Sequence, residues 1–244
     1  MNMADPKKKE TKRQIKIAGF AVEFQRKRIK NMHLRVKAPD GRVTLSAPLR
    51  LPKTAIERFV RENEDWLRRK IAEVKQRPMV QPHPYVTGET IPLWGEPKVL
   101  VVKAGKRAVC RFEGPRVLLF LPAGENSTRE QREAVLREAY RQELVRAIAE
   151  TAPKIEQLTG LYAREWRTKR MKTRWGTCNI LKRRIWINLE LAKRRPVCLR
   201  YIILHEVIHL TERYHNKHFY ALLSYYMPEW KKVRAELNAV PIVK

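Results

Sequence analysis

The stretch PVCLRYIILHEVIHLTERYHNKHF, residues 196–219, decides how this chain is read. Pro196 is placed to open a helix, where its missing N–H costs nothing. The residues after it are apolar almost throughout, and His205, Glu206 and His209 interrupt them with H-E-x-x-H spacing. Residues four apart share one helical face, so both imidazoles can point at one ion. Neutral imidazole nitrogen suits zinc, and a catalytic zinc keeps three protein ligands and one open position. Glu206 lies one residue round from His205, where it can take a proton from water at such an ion without ligating it. The pattern points to a zinc-dependent hydrolase.

The competing reading is a structural helix whose histidines are satisfied by core hydrogen bonds. Two observations oppose it. A buried and unpaired His-Glu-His set would be costly in an apolar helix, and His205, His209, His215 and His218 crowd four of the six histidines into fourteen residues. His215 is the first candidate for third ligand, six residues past His209, far enough for the helix to end and the chain to fold back. His218 could serve instead. So could Glu212, one turn beyond His209, because sites built from two histidines and a glutamate exist.

Working outward, residues 172–178 and 184–189 flank a basic turn and predict an antiparallel pair beside the motif helix. Helices are expected around 218–225 and, after Pro228, around 229–238. Upstream, Asn126-Ser127-Thr128 followed by Glu130 marks the start of a helix running to about 158. Before it, short apolar runs at 91–93, 99–102, 108–112 and 117–121, punctuated by Gly88, Gly95, Gly105 and Gly114, read as strands. A connector holding Pro78, Pro82 and Pro84 precedes them. One helix is expected from Leu51-Pro52-Lys53 to Pro78, with Ile56, Phe59, Val60, Trp66, Leu67 and Ile71 at helical spacing. Leu34-Arg35-Val36 and Val43-Thr44-Leu45 around Pro39-Asp40-Gly41 predict a hairpin. Residues 1–14 read as a disordered basic tail. No internal repeat is visible, and the expected boundary lies near Gly124, between a β-rich module at 15–125 and a second domain at 126–244.

Composition bounds the partners. A hydrophobic content of 43% fits a folded protein of 244 residues. The basic start, with Lys7-Lys8-Lys9, lacks the apolar run of a secretory signal. The longest apolar-rich stretch, 197–210, is interrupted by Arg200, His205 and Glu206, so no membrane span is expected. Cys110, Cys178 and Cys198 in no paired pattern suggest a reducing, cytoplasmic setting. Lysine and arginine number 53 against 25 acids, a net +28. Between Leu161 and Arg195 there are twelve basic residues and two acidic ones, a net +10. Arg164, Arg167, Lys169, Arg170, Lys172, Arg174, Lys182, Arg183 and Arg184 therefore form a candidate surface for nucleic acid or nucleotide. Solvated surface charge is the plainer account of the same excess.

Several segments resemble the YgjP-like, SprT-related zinc metallopeptidases, and the likeness covers nearly the whole chain. Residues 170–178, RMKTRWGTC, resemble that family's R-x-x-x-R-W-G-S-C segment. Residues 201–209 are similar to its Y-V-x-x-H-E-L-x-H, and 215–219 to its H-x-x-x-F. Ile185 to Leu191, Leu93-Trp94-Gly95 and the segment from Arg28 to Val43 are similar as well. The resemblance implies zinc at His205, His209 and His215, with Glu206 catalytic. The chain departs from the pattern at Tyr214, where Asn is commoner, at Thr177 for Ser and at Tyr220 for Trp. Within RWGTC, Trp175 is expected to pack in the core, and Gly176 to permit a close backbone approach. Cys178 is expected to pack rather than close the metal site as a fourth ligand. The same strand is placed to offer its edge to an extended peptide.

The fold expected is α+β: a β-rich N-terminal module with one helix, followed by a mainly helical zincin-like domain with a short β-hairpin. The function expected is a zinc metallopeptidase acting on protein or peptide. One alternative is a metal-dependent nucleoside triphosphate pyrophosphatase or phosphohydrolase, disfavoured by the lack of a G-x-x-x-x-G-K-[ST] loop. The other is a nucleic-acid-binding protein with structural zinc, which would have no need of Glu206.

Overall fold

The computed structural model describes residues 13–37, 40–76 and 83–239. Most of the expected tail, together with Pro39, Pro78 and Pro82, lies outside them. Arg13 and Gln14, assigned to that tail, belong instead to the first strand. The fold is α+β, and the chain divides into two compact units between Gln81 and Pro82.

The first unit carries β1 (Arg13–Ile17), β2 (Phe20–Lys27), β3 (His33–Lys37) and β4 (Arg42–Pro48) in the order β1-β2-β4-β3. The expected hairpin is β3–β4, paired antiparallel with Leu34 opposite Leu45, and Gly41 turns it at φ 73°, a conformation that costs glycine little. β2 and β4 run parallel at the centre. Alternation buries Val43, Leu45 and Ala47 of β4 against Ile56, Val60 and Leu67. Those three belong to two helices, α1 (Lys53–Glu62) and α2 (Glu64–Gln76), where the periodicity predicted one. Asn63 breaks it: its side-chain amide donates to the Phe59 carbonyl at 2.8 Å and its backbone leaves helical geometry, as short amide side chains do when they compete for the main chain.

The second unit opens on β5 (Thr90–Leu93), β6 (Glu96–Ala104), β7 (Val109–Glu113) and β8 (Arg116–Leu121), in the order β5-β6-β8-β7. Its outer pairs are antiparallel and its central pair parallel. The first sheet has the same order and the same directions. The chain thus repeats a four-stranded topology that its sequence does not advertise, because the two copies share an alternation of apolar residues rather than their identities.

The division at 81–82 moves the expected boundary away from Gly124. The reason is α3 (Arg129–Thr159), whose Leu136 packs among Leu100, Val117, Leu119 and Leu121 of the second sheet. The Tyr140 hydroxyl donates to the Pro92 carbonyl at 2.6 Å. The sheet after residue 82 is therefore part of the C-terminal core. α3 starts at a capping box made by Thr128 and Gln131, rather than by Glu130.

A third sheet stands beside the motif helix: β9 (Glu165–Lys169), β10 (Gly176–Asn179) and β11 (Arg184–Asn188), in the order β10-β11-β9. β10 and β11 form the expected antiparallel pair, shortened because 172–175 are loop. β9, parallel to β11, was not expected. The motif helix α4 (Pro196–Ile208) has Pro196 in its first turn and nine buried residues along it. Burial nearly all round explains its continuous apolar run. α5 (Lys217–Tyr226) and α6 (Trp230–Ala239) close this core with Phe219, Leu223, Trp230, Val233 and Leu237. No helix among the described residues is long and apolar enough to cross a membrane.

Candidate metal centre

The last turn of α4 sets His205 four residues ahead of His209, which caps the helix in αR geometry. The chain then turns back through 210–216, and Asn216 starts α5 by accepting a hydrogen bond from the Phe219 backbone N–H at 2.8 Å. That reversal delivers His215 to the other two. One ring nitrogen from each of His205, His209 and His215 lies within 4.8 Å of the others. The Nε2 atoms of His205 and His215 face each other at 3.0 Å.

Phe219 supplies the floor. Its buried ring lies 4.9, 4.8 and 4.7 Å, centroid to centroid, from the rings of His205, His209 and His215. His209 Nδ1 bonds the Glu212 carbonyl at 2.8 Å, so Nδ1 carries the proton and Nε2 is left with a lone pair. Burial, then the neighbouring His209 and His215, push the His205 imidazole down to about 3, and burial lowers His215 as well. Both are held neutral, the form that ligates a transition metal.

Glu212 and His218, the other candidates for third ligand, are tied to each other. His218 Nδ1 meets Glu212 Oε1 at 2.6 Å, and the Asn216 amide donates to Glu212 Oε2 at 2.9 Å. Both hydrogen bonds hold the Glu212 carboxyl below its ordinary range.

Glu206 is 4% exposed. Burial pushes its carboxyl up to about 8, with Arg174 pulling the other way. The close approach expected at Gly176 is an approach to this side chain: a Cβ there would stand 2.6 Å from Glu206 Oε1 and 2.9 Å from its Cδ. The glycine of β10 makes room for the glutamate of α4.

Asn188, whose part the sequence did not disclose, fastens the loop before β10. Fully buried, it donates to the carbonyls of Met171 at 2.9 Å and Arg174 at 2.7 Å and accepts from the Met171 and Glu190 N–H groups. Trp175 packs against the core as expected, with the Arg194 guanidinium 5.5 Å from its ring centre. Cys178 lines the same cavity, and burial pushes its thiol up to about 11. The cavity measures about 700 Å³ and is bounded by residues 173–178, α4, the loop after it and α6.

The three imidazoles fit a divalent transition metal. Their nitrogens converge, and His205 and His215 are held toward the neutral form. A helix-borne pair of histidines, a third from the following loop and a buried carboxyl beside them define a metallopeptidase-type domain. The chain belongs to the YgjP-like family: that family's model, YgjP-like metallopeptidase domain, matches residues 30–240. No curated protein matches it. Among solved structures it is similar to the metallopeptidase zymogen of Pyrococcus abyssi abylysin, at 16% identity and a TM-score of 0.36. That match covers 39% of this chain and 99% of the other, a likeness too slight to carry an argument.

Proposed function

We propose that the protein is a zinc metallopeptidase in which His205, His209 and His215 hold the ion and Glu206 is the general base. The observation that carries this reading is the convergence of three ring nitrogens within 4.8 Å, one residue along the helix from a buried carboxyl. Zinc in that position supplies Lewis acidity toward a carbonyl oxygen and toward water. Glu206 then takes the proton of the attacking water on its carboxylate and returns it to the leaving amine. Gly176 leaves the space the carboxyl occupies.

β10 is the natural seat for an extended peptide. It pairs only with β11 among the described strands and borders the cavity, so its outer edge offers main-chain partners to a substrate strand. Main-chain pairing of this kind is indifferent to side chains and suits unfolded protein.

The test sets zinc-loaded protein against unfolded protein substrates and nucleoside triphosphates side by side. Glu206→Gln at matched zinc content serves as the comparison. About one zinc per chain is expected, much weakened in His209→Ala and His215→Ala. Hydrolysis should fall by at least about 10²-fold in Glu206→Gln. Retention of full zinc by His215→Ala, with loss in Glu212→Ala or His218→Ala, would move the third ligand. Equal rates for parent and Gln variant would remove Glu206 as base.

A further inference from the structure

Three arginines line the cavity and make no salt bridge among the described residues: Arg174, Arg213 and Arg234. Other arginines of this basic chain also make no salt bridge; what distinguishes these three is that they share one cavity with His205, His209 and His215. The three reach the cavity from separate elements. Arg174 sits in the loop before β10, its carbonyl pinned by buried Asn188 at 2.7 Å. Arg213 follows α4, its guanidinium 5.5 Å from the Tyr214 ring centre. Arg234 projects from α6, 5.9 Å from the Trp230 ring centre. Glu206 is the one acidic residue among the described residues of the lining.

All three line the same cavity as the three imidazoles and Glu206. A cleft walled by one sign of charge concentrates ligands of the other. Guanidinium groups also bind carboxylates through paired, charge-assisted hydrogen bonds.

We propose that this cavity selects peptide segments carrying aspartate or glutamate side chains next to the bond that is cut, with Arg174, Arg213 and Arg234 as the specificity-determining residues. The inference rests on the metallopeptidase reading and gives it a substrate class. A peptide suits the site better than a polyphosphate for two reasons. The free edge of β10 borders the same cavity and serves an extended chain. The one glycine in the lining, Gly176, has its open side filled by Glu206, so no glycine-rich loop is there to cradle phosphates.

The experiment measures binding apart from turnover. Zinc-loaded Glu206→Gln protein is titrated against labelled peptides of one length: an acidic one and an alanine one, both with amidated C-termini, and the alanine one with a free C-terminus. The acidic amidated peptide is expected to bind at least about tenfold more tightly than the alanine one at low salt, with the gap narrowing as salt rises. Arg174→Gln, Arg213→Gln and Arg234→Gln should each shrink the gap and together close it; urea unfolding midpoints near the parent's confirm that these exposed sites leave the fold intact. The proposal is overturned if acidic and alanine peptides bind alike, if only a free C-terminus matters, or if tripolyphosphate displaces the acidic peptide well below that peptide's own Kd. Active protein separates the two readings. Arginine-dependent binding of acidic peptide without cleavage of any peptide keeps the arginines' selection of acidic segments but sinks the peptidase, and with it the placement of those segments beside a cut bond. Cleavage of acidic and neutral peptides with equal kcat/KM does the reverse.

Discussion

Glu206→Gln is expected to stabilise the metal-free protein, and by more as the pH rises from 5 to 8. The native carboxyl is 4% exposed. Burial raises it from an ordinary 4.5 to about 8. An acid whose native value lies above its unfolded one folds most favourably while protonated in both states. Its contribution is therefore complete below the unfolded value and is lost as pH climbs toward the native one. At 1.36 kcal/mol per unit, the shift amounts to ~5 kcal/mol in full, of which about 3 kcal/mol accrues between pH 5 and pH 8. Glutamine has the same size and no charge to bury, so it escapes this loss. Urea unfolding of chelator-treated parent and variant, at several pH values across that range, reads the difference directly, and other titrating groups cancel in the subtraction. If the two proteins keep a constant stability difference from pH 5 to pH 8, the carboxyl is not in a desolvated site, and the geometry beside Gly176 is wrong.

Gly176→Ala should cost about 1–3 kcal/mol in urea unfolding, because a Cβ 2.6 Å from Glu206 Oε1 forces backbone or carboxyl to move. Its kcat should fall at least about tenfold at full zinc content, since the displaced group is the proposed base. Asn188→Ala frees two carbonyls and two N–H groups that the buried amide now satisfies. A loss on the order of 3 kcal/mol is expected by denaturant unfolding, and a change smaller than about 1 kcal/mol would mean that the loop before β10 holds itself. The basic run from Arg164 to Arg184 should bind single- or double-stranded DNA through phosphates, with log affinity falling linearly against log salt and little sequence preference. Affinity flat between low and moderate salt would leave that charge as solvated surface.

Much of this protein was legible in one dimension. H-E-x-x-H spacing places two imidazoles on one helical face whatever surrounds the helix, because 3.6 residues make a turn. The hairpin at Gly41, the strands of the second sheet and the start of α4 at Pro196 are local events, written in turn chemistry, alternation and a missing N–H. Where local signals conflict, reading became harder: Asn63 splits a continuous apolar periodicity, because its side chain satisfies a main-chain carbonyl that the helix would otherwise use. The unit boundary was misplaced at Gly124 because Leu136 and Tyr140 look like any helical core residues until their partners across the sheet are known.

What only the tertiary structure decided is which distant residues share a space. For the third ligand, spacing alone left three candidates open, His215, His218 and Glu212; the turn before α5 sends His215 to the pair and ties Glu212 to His218. Gly176 reads as a generic site of close approach until the chain between β10 and α4 has folded and its neighbour proves to be Glu206. Asn188, Arg213 and Arg234 belong to no motif, since a buried asparagine or an unpaired arginine is defined by what surrounds it. The sequence by itself determined the helix, its two histidines and the acid between them, because those depend on the pitch of one element. The pocket depends on β10, α4 and α6 meeting, and packing at a distance has no period to read.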